Sequence, residues 1–140
     1  MGSVESSIML RTQVNVAHRG LPHTFAENTI KACEESIEAG AEALELDFQR
    51  TKDNEIIVMH DLSVNRVIDD DGETKYVADL TADEIRGMSV VKGINDEDVD
   101  PQPIPFISDV IDLLKANPNI ICIKSPERQG KYTQISSLRG

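Results

Sequence analysis

The sequence predicts a single α/β domain, because short apolar strands alternate with helical segments and charged side chains follow the strands. The 140 residues are enough to bury one core and too few for two substantial ones. In α/β folds, catalytic and binding groups gather at the carboxyl ends of the strands. We therefore expect a functional site at that edge of the sheet.

The first elements are a short strand and a helix. Residues 13–17 alternate in polarity and end at His18, which predicts the strand. Asn28 or Thr29 is placed to cap the helix, and Gly40 is a natural stop for it. The apolar stripe of this helix consists of Ile30, Cys33, Ile37 and Ala41.

A strand at 43–50 and an apolar run at 56–60 are close enough in sequence to form a hairpin. If Asp53 and Asn54 form a two-residue loop, residue 47 faces residue 60. Asp47 and His60 would then be cross-strand neighbours, with Cβ atoms about 5 Å apart. A slip of one residue would send them to opposite faces.

Residues 62–103 are richer in acidic turns and glycines and indicate an inserted subregion with one short helix at 81–86, where Thr81 and Glu84 form a capping box. A helix at 107–116, capped near Ser108, and a buried strand at 120–123 follow. The stripe of that helix is predicted to be Ile107, Val110, Ile111 and Leu114. Residues 1–11 are expected to be a disordered leader and residues 125–140 a polar tail.

Composition excludes several function classes. The net charge is −11 and the basic residues are scattered, which argues against nucleic acid as a partner. Two cysteines without CxxC spacing indicate reduced thiols in a cytoplasmic protein. No apolar run is long enough for a transmembrane segment. The acidic runs at 69–73 and 96–100 are predicted to be solvated loops, with calcium loops as the alternative.

Four strand-end residues and two carboxylates carry the chemistry. Glu45 and Asp47, at i and i+2 on a strand, point to one face, and such oxygen-only ligands favour Ca²⁺ or Mg²⁺; a solvated polar face is the alternative. His18 and His60 suit acid–base catalysis of displacement at phosphorus, unless they are structural. The cations placed to bind a phosphate are Arg19 and Lys124.

These motifs, in this order, resemble the signature of the glycerophosphodiester phosphodiesterase family. The similarity runs from about Val14 to Lys124, and the residues that carry it are His18-Arg19-Gly20, Glu27-Asn28-Thr29, Glu45-Leu46-Asp47, Thr51-Lys52-Asp53, His60-Asp61, Asp79-Leu80-Thr81 with Glu84, and Ile104-Pro105.

The resemblance implies a TIM-type (β/α) barrel with a small insertion after the His-Asp motif, and metal-dependent hydrolysis of glycerophosphodiesters to an alcohol and glycerol 3-phosphate. His18 and His60 would be the acid–base pair, in an order left open. Glu45 and Asp47 would ligate the metal, and Arg19 and Lys124 would bind the phosphate. By the same analogy Glu27 shapes the site near the metal or the glycerol group.

The chain departs from the family pattern in two respects. Cys122 stands where the family usually has a glutamate that ligates the metal, so Cys122→Glu is expected to strengthen metal binding. A complete barrel takes about 250 residues, so residues 12–124 are expected to form about half a barrel, with self-association through its open edges as one consequence. The alternatives to an enzyme are a degenerate fragment that binds phosphate or metal, and a purely structural α/β domain.

Overall fold

The computed structural model describes residues 27–125 and, as backbone, residues 16–18. This part of the chain combines a three-stranded parallel sheet with two antiparallel hairpins. In chain order the elements are β1 (Val16–His18), α1 (Ile30–Glu38), β2 (Ala43–Leu46), β3 (Phe48–Arg50), β4 (Ile56–Val58), α2 (Asn65–Ile68), a 3₁₀ turn (Val77–Asp79), α3 (Ala82–Arg86), β5 (Ser89–Lys92), β6 (Asp98–Pro103), α4 (Ile107–Ala116) and β7 (Ile121–Lys124).

The parallel sheet has the strand order β1–β2–β7, which confirms the predicted α/β class. Apolar side chains of β2 pack against α1 and α4, and the shared sheet–helix core consists of Cys33, Leu44, Leu46, Val58, Val110 and Leu113. Since neighbouring residues of a strand point to opposite faces, Glu45 lies on the face away from these helices. None of the described helices is long and apolar enough to cross a membrane.

Helix α1 begins and ends where the sequence predicts. The Thr29 hydroxyl accepts a hydrogen bond from the amide of Ala32 at 3.2 Å, which satisfies one of the unpaired donors at the helix start. Beyond the last turn, Gly40 adopts φ of 108°, a conformation that residues with a Cβ rarely tolerate. Thr29 is therefore the cap, and Asn28 is available for another role.

The inserted subregion has more structure than predicted, and it packs with residues of β4 and 104–106 into a second core, here called the insertion core. The predicted helix at 81–86 is present as α3, and its Thr81–Glu84 capping box is confirmed. The sequence did not reveal α2 or the β5–β6 hairpin, and the second acidic run partly lies in β6. The buried members of the insertion core are Ile57, Met59, Val64, Val67, Val77, Leu80, Ala82, Ile85, Val90, Ile104 and Phe106.

The predicted strand at 43–50 is not continuous. It breaks at Asp47 into β2, which joins the parallel sheet, and β3, which pairs with β4. The predicted hairpin register is wrong by one residue, because the loop contains three residues: the amide of Thr51 donates to the carbonyl of Glu55. Phe48 therefore faces Val58, and the left-handed φ of 68° at Asn54 closes the turn.

Two details near the end of the described chain also differ from expectation. Helix α4 has the predicted bounds, but its first turn is capped by the Asp109 carboxylate, which accepts from the amide of Phe106 at 2.8 Å, and Ser108 is exposed. Ile111 is exposed and Leu113 is buried in its place. In β7, Ile121 and Ile123 are 37% and 39% exposed, so the strand is not buried on both faces. The leader and all but the first residue of the tail lie outside the described residues.

Candidate active site

The parallel register places two of the predicted site residues side by side. Glu45 on β2 has His18 as its Cα partner on β1 and Ile123 as its partner on β7. Register partners in a sheet share a face, so positions 18 and 45 belong to the same row at the end of β1. Arg19 follows this row but lies outside the described residues.

Asp47 is held by Asn28, a contact that the sequence did not predict. The side-chain amide of Asn28 donates from Nδ2 to Oδ2 of Asp47 at 3.1 Å, and its Oδ1 accepts from the Asp47 backbone amide at 3.4 Å. Asn28 is buried and adopts the left-handed φ of 52°. This conformation is uncommon outside glycine and concentrates at functional sites. Asn28 thus fixes the direction of the Asp47 carboxylate.

His60 is oriented by its neighbour in sequence. Nδ1 of the imidazole lies 2.9 Å from Oδ1 of Asp61, and each side chain is 26% exposed. Burial alone would raise the pKa of Asp61, but hydrogen bonds from Arg66 and His60 outweigh it and lower the pKa below its ordinary value. An ionised carboxylate only accepts hydrogen bonds, so Nδ1 of His60 carries the proton. The contact with Asp61 thus engages Nδ1 of the imidazole and not Nε2.

Arg66 binds the other side of the Asp61 carboxylate. Its Nε lies 2.8 Å from Oδ2 and its Nη2 lies 3.2 Å from Oδ1, a two-pronged contact. Its Nη1 contacts Oε1 of Glu27 at 2.9 Å and the carbonyl oxygen of Gly93 at 2.8 Å. Burial opposes the charge of Arg66, but the two carboxylates raise its pKa overall. The sequence singled out neither Arg66 nor its contact with Glu27, because these residues are distant in the chain.

The predicted pairing of Asp47 with His60 is wrong, since the register is shifted by one residue. The carbonyl oxygen of Asp47 accepts instead from the amide of Met59 at 2.9 Å. Gln49 then ties the strand to the histidine segment, because its Nε2 donates to the carbonyl oxygens of Met59 and Asp61. The two segments are therefore adjacent, but through backbone and amide contacts.

Lys124 and Cys122 lie on one face of the sheet, and Glu45 lies on the other face. Cys122 pairs with Leu44 and Lys124 pairs with Leu46. Cys122 packs against the sheet–helix core, and burial raises the pKa of its thiol. Burial likewise raises the pKa of the neighbouring Cys33 thiol, to about 12. The structure does not place the Cys122 side chain beside the Glu45 carboxylate.

This placement changes the expected effect of Cys122→Glu from stronger metal binding to lower stability. We now expect the substitution to lower the free energy of unfolding by about 1–3 kcal/mol, because it moves a carboxylate into an apolar environment. Urea denaturation at neutral pH measures the change, and Cys122→Val, which keeps an apolar side chain, is the matched control. A glutamate variant that is as stable as the control and binds Mg²⁺ more tightly would contradict the placement.

A family model described as the glycerophosphoryl diester phosphodiesterase family matches residues 18–135. The chain belongs to this family. The match covers the row of His18 and Glu45, the Asn28–Asp47 pair and the His60–Asp61 pair, and it continues beyond Lys124.

Individual members of the family are similar over part of their length. A glycerophosphodiester phosphodiesterase of Caldanaerobacter subterraneus is 37% identical over 100 residues, which are 71% of this chain and 39% of the relative. A crystal structure of a glycerophosphodiester phosphodiesterase from Parabacteroides distasonis is 28% identical with a TM-score of 0.58 and covers 81% of this chain and 43% of that one. The chain thus spans about two-fifths of these relatives.

A second similar structure contains a bound product. It is an Oleispira antarctica phosphodiesterase in complex with sn-glycerol-3-phosphate, 18% identical with a TM-score of 0.64, and the match covers 82% of this chain and 45% of that chain. At this identity the likeness shows the fold alone. The described parallel sheet with helices on one face therefore has the fold of the corresponding segment in these phosphodiesterases.

Proposed function

We propose that this chain supplies part of the active site of a metal-dependent phosphodiesterase that hydrolyses glycerophosphodiesters to an alcohol and glycerol 3-phosphate. The observation that carries the proposal is the His60–Asp61 pair, adjacent to the strand end that bears Asp47. Family membership supports it independently. We also propose that the described sheet is part of a TIM-type barrel, in a cytoplasmic protein of lipid or glycerol metabolism.

In the proposed reaction a water oxygen replaces the alcohol oxygen on phosphorus. The water gives its proton to one of the two histidines, the bond from phosphorus to the alcohol oxygen breaks, and the other histidine protonates the departing oxygen. His60 would act through Nε2 in either role, because Asp61 holds Nδ1. Arg19 and Lys124 are the proposed phosphate-binding cations; for Lys124 this requires its side chain to reach around the end of β7.

The residues present fit a hard divalent cation. Glu45 and Asp47 supply carboxylate oxygens, and Asn28 directs one of them. Within residues 27–125 no group of three or more His, Cys, Asp or Glu side chains is arranged to hold a metal ion. Magnesium is usually held by one or two carboxylates together with water and substrate phosphate oxygens, whereas calcium takes about six to eight oxygen ligands. Glu45 and Asp47 would hold the ion, which would neutralise charge on the phosphoryl oxygens.

Release of glycerol 3-phosphate from glycerophosphocholine tests the proposal. We expect product formation by the purified chain with Mg²⁺ or Ca²⁺, none with chelator, and a rate about 10²–10⁴-fold lower in His60→Ala, the usual effect of losing a general acid or base. His23→Ala is the matched control, because it makes the same change at the third histidine of the sequence, which lies outside the family motifs. It should retain the full rate.

The outcomes separate the proposed enzyme from the degenerate fragment. No product from a chain that is shown to be folded would contradict the proposal for this chain. If Mg²⁺ or inorganic phosphate still raised the melting temperature through binding to the folded state, the binding fragment would be the better description. Product formed equally well by His60→Ala would remove His60 from the reaction.

A further inference from the structure

Arg66 joins three segments that are distant in the sequence. It contacts Glu27 ahead of α1, Asp61 after β4, and the carbonyl oxygen of Gly93 in the turn between β5 and β6. Two of these segments flank the proposed site, and the third belongs to the inserted subregion. Arg66 itself lies on α2, which is also part of that subregion.

We infer that Arg66 is a positioning residue that fixes the orientation and the tautomer of His60 through Asp61. The inserted subregion then has a defined task, which is to hold the proton-transfer histidine in place. This inference rests on the proposed function, in that it assigns proton transfer to His60. The state of the imidazole can nevertheless be measured without substrate or metal.

The geometry shows what an arginine provides here that a lysine would not. The Asp61 carboxylate is held through both oxygens by Nε and Nη2 of Arg66, so it cannot rotate away from the imidazole. The opposite edge of the guanidinium is fixed by Glu27, which is almost fully buried, and by the Gly93 carbonyl oxygen. A lysine in this position would keep the charge but lose the planar two-pronged contact.

The experiment measures the tautomer of His60 directly. Long-range ¹H–¹⁵N correlation spectra of the labelled chain, at a pH about two units above the ordinary histidine pKa of about 6.5, distinguish a proton on Nδ1 from one on Nε2. The His60 signals are assigned by their loss in His60→Gln. We expect the Nδ1–H form to dominate, and Arg66→Lys to lower the ratio of Nδ1–H to Nε2–H roughly tenfold, the effect of weakening one charge-assisted hydrogen bond.

The control is Arg86→Lys, which makes the same change in an arginine whose ion pair with Asp83 is exposed; its ratio should equal that of the parent chain. An unchanged ratio in a folded Arg66→Lys variant would overturn the inference. If that variant does not fold, Glu27→Gln removes one support of the guanidinium, and the ratio should fall about threefold; no change there would also overturn the inference. Absence of phosphodiesterase activity bears on the proposed function alone.

Discussion

Replacing Arg66 with methionine is expected to lower the free energy of unfolding by about 3–5 kcal/mol, the usual result of removing one partner of a buried ion pair. Glu27 is 2% exposed and its Oε1 lies 2.9 Å from the guanidinium, so the variant would leave its charge in a poorly solvated position. Asp61 and the Gly93 carbonyl oxygen would lose the same donor. Urea denaturation followed by circular dichroism measures the change.

Two further variants distinguish the cost of leaving the buried charge of Glu27 without the Arg66 guanidinium from the cost of removing any arginine side chain. Arg86→Met removes a guanidinium that pairs with exposed Asp83 and lies over the Phe106 ring at 4.6 Å, and it should cost about 1 kcal/mol. Adding Glu27→Gln to Arg66→Met should recover at least about 1 kcal/mol, because the uncompensated charge is removed. Equal losses from Arg66→Met and Arg86→Met would show that the Glu27 contact contributes little.

The sequence was sufficient for features that depend on nearby residues. The bounds of α4, the stop at Gly40 and the Thr81–Glu84 capping box all follow from local periodicity and backbone preferences. These predictions needed only residues within about one turn or one strand of each other.

The errors arose where tertiary contacts decide between local alternatives. Loops of two and of three residues between β3 and β4 satisfy the same turn chemistry. The predicted two-residue loop places Asp47 opposite His60, whereas the observed three-residue loop places it opposite Met59. The sequence does not predict the break at Asp47, because the alternation of apolar and acidic residues continues unchanged from Leu44 to Phe48. The sequence predicts either Asn28 or Thr29 as the helix cap, and only the fold shows that Thr29 takes that role while Asn28 binds Asp47.

The face of β7 also depends on partners that local sequence does not specify. Family analogy predicts that Cys122 lies on the metal side of the sheet. The observed register pairs it with Leu44 and packs it against the helices, and the two isoleucines of β7 are on the other face. Alternation fixes which residues share a face, but the packing of α1 and α4 decides which face is inside.

Asn28→Gly is expected to weaken Mg²⁺ or Ca²⁺ binding by about 10–100-fold, the usual effect of removing a residue that orients a metal ligand. Glycine accepts the left-handed φ of 52° found at Asn28 without strain, so the backbone is preserved while the amide is lost. Asp47 would keep its carboxylate but lose the donor 3.1 Å from Oδ2. Isothermal titration calorimetry gives the affinity, and the metal-induced rise in melting temperature gives an independent measure.

The chain provides a matched control in Asn54. It too adopts a left-handed conformation, with φ of 68°, but it lies in the exposed β3–β4 loop, away from Glu45 and Asp47. Asn54→Gly makes the same chemical and backbone change and should leave the metal affinity unaltered. If both variants bind metal like the parent chain, Asn28 does not direct a metal ligand. If the parent chain binds neither ion while remaining folded, Glu45 and Asp47 are not sufficient ligands in this chain. A loss confined to Asn28→Gly would show that the residue ahead of the α1 cap orients the Asp47 carboxylate toward the ion.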